Sequence, residues 1–572
     1  DTAGYKKNEQ TGYKTNNNGM SGAFASASNS LSNLTAHSSL TSTCRVTAAI
    51  GSTDNERFLS GARHYRNDEI ALYNLLSISN NTDLEAVGNA LSKYNLYVPT
   101  TEDVVDVIRH SARFYWRDEN KFEKLRAFIG RLNHVEKAAF VYAGDLYQVK
   151  NYNDSFVRTF LSRMVEFDTI LTDAEYEALK GKVDYGLYGL AWKVRPEYTE
   201  EQEMKKHYGK GTEADRVITA MAFNMTHVLM DYYDFFKTFF TTFNLPPSNA
   251  FFPQAIRECV ITGDTDSTIF TTQDWVKWYC GKVSIGRVEG AVSEVLVYMK
   301  EFSVAHYLAV MSANLGSSRK NLRREQMKNE YMFPVYGSSE IKKHYYAYEK
   351  IREGFINGTM KLDRKGLQYK ASTAPASVIA LSDSLMERIM DTVYANEKIS
   401  LREILVLVAD YERKILADIE SGGITFYRAS KVKEAESYTK PGTESPYRNY
   451  LMWNEIFGPS YGEAPVPPYN TFKIPLELTK KDKVKLYLSE FEDQACATRL
   501  QNWLNKGNRD NLNTLYVPMD LFTNKAIPKD IVSMVRVRDL VFDVMISCYL
   551  VLESMGYYFR NDAKTRLISD DY

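Results

Sequence analysis

Apolar residues in this chain recur mostly with a helical period. Residues 55–95 read as a helix, an Asn/Asp-rich turn and a second helix carrying Ile70, Leu72, Leu75 and Leu76. Pro99-Thr100-Thr101-Glu102-Asp103 has the form of a helix start, and Val104, Val105, Ile108, Ala112 and Phe114 supply the stripe behind it. The same period runs through residues 122–129, 156–167 and 174–179. The most apolar stretch, 217–240, predicts a helix running towards Leu245-Pro246-Pro247. Asn224, His227, Asp231, Asp234 and Lys237 interrupt it, which argues against a membrane span. Residues 275–307 are again largely helical. Ser400-Leu401-Arg402-Glu403 reads as a capping box ahead of Ile404, Leu405, Val408, Tyr411, Ile415 and Ile419. Residues 376–572 are mostly helical in pattern, apart from a Pro/Gly-rich stretch from Pro441 to Pro468 that reads as an irregular connection. Two stretches break the helical rule. Around Thr15-Asn16-Asn17-Asn18-Gly19, poor helix formers predict a loop over 15–22. In 259–270, apolar residues alternate on either side of Gly263-Asp264-Thr265-Asp266, which predicts a β-hairpin with two carboxylates at its turn.

A chain of 572 residues is long enough for several domains and a large core. With 71 Lys+Arg against 72 Asp+Glu, any nucleic-acid surface must be a local patch. Cys44, Cys259, Cys280, Cys496 and Cys548 show no paired spacing, which argues against a disulfide framework or a zinc site and fits a reducing compartment. The eight histidines are equally dispersed. No signal peptide opens the chain; it starts at Asp1 rather than Met, so the start reads as a processed or chosen boundary.

The hairpin carries the most pointed chemistry. Two aspartates two residues apart on a stiff turn can share a divalent cation, because hard cations prefer oxygen ligands. Such a cation can orient phosphates and neutralise charge in phosphoryl transfer. The plain alternative is a turn rich in Asp because Asp suits turns. An EF-hand loop does not fit, since Ile269 and Trp275 stand where its glycine and glutamate belong.

Gly263-Asp264-Thr265-Asp266-Ser267 resembles motif C of family B DNA polymerases, YGDTDS, with Thr262 in place of the tyrosine. Residues Lys14 to Gly22 resemble motif B, KxxxNSxYG, with Gly19 where Ser is common and Ser21 where Tyr is common. Ile341-Lys342-Lys343-His344-Tyr345 resembles the KKxY segment at the palm–thumb junction. Lys365-Gly366-Leu367 matches a lysine–glycine turn that follows it, and Thr41 to Arg45 is a weak match to T-x-x-G-R closing the motif B helix, with Cys44 for glycine. The resemblance implies a helix over motif B, with Lys14, Asn18 and Ser21 on one face: Lys14 at the nucleotide triphosphate, Asn18 and Ser21 at the nascent base pair. It also implies that Asp264 and Asp266 hold metal, and that Lys342, Lys343 and Tyr345 grip the primer–template duplex. The basic run with Arg319 and Arg323 adds phosphate contacts, although such a run is commonly just a solvated helix face. Asp418-Ile419-Glu420 imitates an exonuclease motif but sits in a helix pattern at the wrong end of the chain.

Motif A, with its Asp before SLYPS, is missing, as are the first fingers helix and the exonuclease motifs. The expectation is therefore the C-terminal part of a split or truncated family B DNA polymerase of a large bacteriophage, working in the cytoplasm of an infected bacterium. Its architecture would be α+β and mostly helical. Residues 1–50 form a fingers helix, 51–96 palm-linked helices, 97–212 a helical insertion, 213–375 an incomplete palm with a small sheet, and 376–572 a helical thumb. Template-directed synthesis would use two Mg²⁺ ions, shared with a motif A aspartate of a second polypeptide that also carries the exonuclease. Primer–template DNA, dNTPs and a sliding clamp complete the expected partners, with no membrane. A non-catalytic DNA-binding subunit and a DxD glycosyltransferase are the alternatives.

Overall fold

The computed structural model describes residues 2–167, 171–241, 254–263, 267–341, 343–367, 376–443, 445–507, 509–559 and 566–572; at 2–7, 10, 14 and 445 it describes the backbone alone. The fold is mostly helical with small antiparallel sheets, an α+β class. The chain divides into two compact units, Asp1–Met332 with Lys350–Thr359, and Phe333–Glu349 with Met360–Tyr572.

The first unit opens with α1 (Thr2–Ala25) and α2 (Leu34–Ser60). The helix that the motif B resemblance implies is present, and the loop that propensity alone predicts over 15–22 is not. Residues 15–20 are exposed, and Ser21, Ala23 and Phe24 towards the end of α1 are half-buried. Asn33 closes the connection: its N–H donates to Phe24 O (3.0 Å) and its side chain caps α2 by accepting Ala36 N–H (2.9 Å). α2 then stops at Gly61, in the left-handed region with φ 67°. Thr41 to Arg45 lies inside α2 and closes no helix.

Every residue of α2 from Ala48 to Ser60 is buried, polar and apolar alike. The helices of residues 97–212 share one apolar core with α2 and the hairpin, including Val105, Phe140, Trp192, Val260 and Trp275. In Thr101–Ala112 the capping box forms, with Asp103 N–H donating to Thr100 Oγ1 (3.2 Å) and Thr100 N–H to Asp103 Oδ2 (2.7 Å). Val104, Val105, Ile108 and Ala112 are buried as the stripe predicts. Phe114 is not: it lies past the helix end, 48% exposed beneath the Arg113 guanidinium. The apolar stretch 217–240 is two helices, Glu213–Asp231 and Tyr233–Phe240, broken at Tyr232, whose ring packs on Phe156 and Phe160. Residues 275–307 likewise split into Gln273–Cys280 and Arg287–Asn314.

In the second unit, strands Arg428–Val432, Tyr469–Leu478 and Leu512–Pro518 form an antiparallel sheet that the helical pattern of 376–572 hid. The stretch expected to be irregular holds helices Ser445–Ile456 and Gly458–Tyr461. Ser400 caps Leu401–Glu420, but Glu403 reaches Arg388 (3.2 Å) instead of completing a box. Buried Glu412 on that helix accepts Tyr549 Oη (2.6 Å) and the N–H groups of Ile568 (3.2 Å) and Ser569 (2.6 Å), tying in the C-terminal segment. Asp418 accepts Thr425 N–H (3.2 Å) and Oγ1 (2.9 Å), a helix-closing role with no resemblance to an exonuclease site.

Just after α2, the Arg63 guanidinium is buried with Asp145 (Nη2 to Oδ2, 2.7 Å) and donates to the carbonyls of Phe140 and Val141 (both 2.8 Å). All three nitrogens of the guanidinium donate, and the charge is tolerated only while Asp145 faces it. Arg63→Met should lower the stability of this unit by about 3–5 kcal/mol, because an unpaired buried carboxylate remains. Urea unfolding followed by tryptophan fluorescence checks it; an unchanged midpoint contradicts the coupling.

Candidate active site

Strands β1 (Val260–Gly263) and β2 (Thr268–Phe270) pair antiparallel, as the alternation in 259–270 predicts. The register sets Val260 opposite Phe270 and Gly263 opposite Thr268, so residues 264–267 connect the strands. Asp264 and Asp266 lie outside the described residues. A bulge falls between Val260 and Thr262, a device that re-aims side chains and sharpens local twist. Beyond β2, Thr271 N–H donates to Cys259 O (2.8 Å) and continues the pairing.

The hairpin rests on the buried polar turn of α2. Glu56 accepts three backbone N–H groups: Glu258 on Oε2 (2.8 Å), and Cys259 and Val260 on Oε1 (2.9 and 2.7 Å). Its neighbour Asn55 donates from Nδ2 to Thr268 Oγ1 (3.2 Å) on β2. Farther along, the Leu59 carbonyl accepts Trp275 Nε1 (2.7 Å), fixing the helix that follows the hairpin. On the adjoining side, Asp54 accepts Ser303 Oγ (2.8 Å) and has Lys300 Nζ 3.9 Å from its other oxygen. One helical stretch therefore holds β1, β2 and both helices after them.

Burial sets the protonation states here. It pushes Asp54 up to about 6, against the pull of Lys300, and it lowers the ammonium of Lys300. It also lowers His64, whose Nε2 lies 3.9 Å from Glu56 while Nδ1 meets Tyr115 Oη at 3.0 Å. Burial, reinforced by the Glu56 carboxylate, raises the Cys259 thiol well above its ordinary range, so it packs as a neutral group.

The other residues singled out in the sequence are distributed as follows. Lys14, Asn18 and Ser21 belong to α1; only the backbone of Lys14 is described, Asn18 is exposed, and Ser21 Oγ lies 3.4 Å from His37 Nδ1 on α2. Arg319 and Arg323 are exposed, Arg319 on a short 3₁₀ turn (Arg319–Asn321), so the basic run is no helix face. In the second unit, Lys342 lies outside the described residues. Lys343 has φ 64°, and Tyr345 donates to Asp363 Oδ2 (3.0 Å) with its ring 5.3 Å from that of Tyr336. Gly366 folds against this segment at φ 72°; a Cβ there would stand 2.7 Å from the Lys343 carbonyl oxygen, so only glycine fits.

A cation at the hairpin would meet an all-oxygen donor set, which fits a hard metal. Among the described residues, no group of three or more His, Cys, Asp or Glu is arranged to hold one. The acids packed nearest the strands, Asp54 and Glu56, are committed to Ser303, Lys300 and the β1 backbone. Sequence patterning passed over Asp54, Asn55 and Glu56 because polar residues in a mixed run look solvated. Their only signal was a long uncapped run of polar residues between two apolar ones, Ile50 and Phe58. Among the described residues, no helix is long and apolar enough to cross a membrane.

The sequence profile of a family described as Divergent Family B DNA polymerase matches residues 2–572. Comparison with curated proteins yields no match.

The Asp54–Lys300 pair gives a pH-dependent prediction. Asp54 has a folded value raised from 3.8 to about 6, so its contribution to stability is full below about 4 and is lost as pH rises through about 6. Removing the cation raises that value further. Lys300→Met should thus be strongly destabilising at pH 8, by about 3 kcal/mol or more, and much less so at pH 5, where Asp54 takes up a proton. Thermal melts at both pH values test this; an equal loss at both would refute the coupling.

Proposed function

We propose that this chain, which belongs to the divergent family B DNA polymerases, carries out template-directed DNA synthesis with Asp264 and Asp266 as its metal-holding pair. The observation that carries this reading is the antiparallel pairing of the strands flanking Gly-Asp-Thr-Asp, gripped on both sides by α2. Two carboxylates carried between fixed strands suit catalysis by positioning, because phosphoryl transfer asks little covalent chemistry of the protein. Asp264 and Asp266 would hold Mg²⁺, and the ion would supply neutralisation of the charge that develops on the phosphates.

Around that pair, Lys14 acts as a point charge on the triphosphate of the incoming nucleotide, and Asn18 and Ser21 face the nascent base pair. Lys342, Lys343 and Tyr345, with Arg319 and Arg323, grip the primer–template through its phosphates, which gives sequence-tolerant binding. A motif A aspartate comes from outside these 572 residues, since no Asp here precedes a SLYPS-like run, and of the acids beside the strands Glu56 serves the backbone and Asp54 serves Ser303 and Lys300. A second polypeptide bearing motif A, the first fingers helix and the exonuclease is the proposed source, within a phage replication apparatus that includes a sliding clamp. The commitment of Asp54 and Glu56 to the interior also favours one other reading, a DNA-binding subunit that has kept the polymerase fold without its activity.

Asp266→Asn should lower primer extension by the assembled enzyme about 10²–10³-fold while leaving duplex affinity nearly unchanged, and Asp264→Asn should do less. Extension at the unsubstituted rate by the Asp266 variant would favour the non-catalytic subunit. Lys14→Ala should weaken nucleotide binding alone, whereas Lys342→Ala with Lys343→Ala should weaken duplex binding and flatten its salt slope by about 1 per lost phosphate contact. Gel shifts at several salt concentrations and single-turnover incorporation separate the two roles; identical defects would show that one motif is misplaced. This chain alone should not extend primers with Mg²⁺ until the second polypeptide is added, and robust synthesis by the isolated chain would refute the split enzyme.

A further inference from the structure

We infer that Glu56 is a positioning residue for the metal-holding hairpin, with Asn55 as its counterpart on the second strand. This rests on the proposed role of Asp264 and Asp266.

Successive N–H groups of an extended strand point to opposite sides. Those of Glu258, Cys259 and Val260 nevertheless converge on one carboxylate. The chain must therefore curl around Glu56 as it enters β1, and the bulge before Thr262 follows immediately. That fixes both where the strand begins and how it is rotated. Asn55 holds Thr268, the residue paired with Gly263 at the other end of the connection. Both strands are thus tied to adjacent residues of one buried helix, which leaves the register no freedom. Register matters because a slip of one residue exchanges the residues presented on the two faces of a strand. A two-aspartate cation site cannot survive that exchange.

A structural role alone is a poor account of Glu56. Burying a carboxylate costs more than packing a neutral residue of similar size, and the imidazole beside it, His64 at 3.9 Å, is held below its ordinary range by burial. What the charge supplies is three short, charge-assisted hydrogen bonds to backbone, which hold geometry more tightly than neutral ones. The arrangement parallels the outer-shell groups that orient metal ligands.

The test measures Mn²⁺ binding to the full chain by water-proton relaxation, with thermal stability and duplex affinity recorded on the same samples. Glu56→Gln keeps the shape but can accept at one oxygen only, and should weaken Mn²⁺ binding about 10-fold with duplex affinity retained. Asn55→Ala removes a single bond and should weaken it less, and it serves if Glu56→Gln does not fold. Arg63→Met is the control, since it destabilises the same unit without touching the hairpin. Unchanged Mn²⁺ binding in Glu56→Gln, or in Asn55→Ala where that variant stands in, overturns this inference alone. So does an equal loss in Arg63→Met, which would mark a general effect of stability. Failure of the unsubstituted chain to bind Mn²⁺, or full binding by Asp266→Asn, overturns the metal reading of Asp264 and Asp266 and this inference with it.

Discussion

The first unit depends on one buried carboxylate. Glu56 gathers three backbone N–H groups at the start of β1, and the residues around it on α2 hold the second strand and both following helices. A helix commonly offers a core one apolar stripe. Here α2 offers its whole circumference over Ala48 to Ser60, and the polar part of that circumference is used to address specific partners. Apolar packing alone would leave a two-stranded hairpin free to slide, since an isolated pair of strands is marginal in water. Directional bonds from a rigid element remove that freedom.

The same device recurs in the second unit, where Glu412 accepts from Tyr549 and from the backbone of Ile568 and Ser569. In both places a helical glutamate organises a segment distant in sequence. Arg63 with Asp145 does comparable work between the end of α2 and the helices of residues 97–212. These buried charges are expensive to desolvate, and each is stable only because its lone pairs or protons are nearly all used. They confer specificity of arrangement more than net stability. That is the quality a short two-stranded hairpin requires.

Legibility from sequence followed the physical basis of each element. The helix at Thr101–Ala112 was readable because its cap and its apolar stripe are both local. The hairpin was readable because alternation has a period of two and Gly-Asp-Thr-Asp is a compact turn signal. The resemblance of that turn to motif C agrees with the family to which the whole chain belongs. By contrast, the sheet of the second unit was hidden, and α1 was legible only through the motif B resemblance, since propensity alone pointed to a loop. The strand Tyr469–Leu478 lay beside a Pro/Gly-rich run that masked its alternation.

From the sequence alone came the helical character, the family resemblance, the two aspartates and the position of the turn that bears them. Each of these is encoded in contiguous residues, where period, capping and turn chemistry act over a few positions. Only the tertiary structure decided that Asn55 and Glu56 hold the strands on either side of that turn, with Asp54 holding the helix that follows. Their partners Ser303, Thr268 and Val260 are more than two hundred residues away, and a polar residue's pattern is the same whether water or a backbone N–H satisfies it.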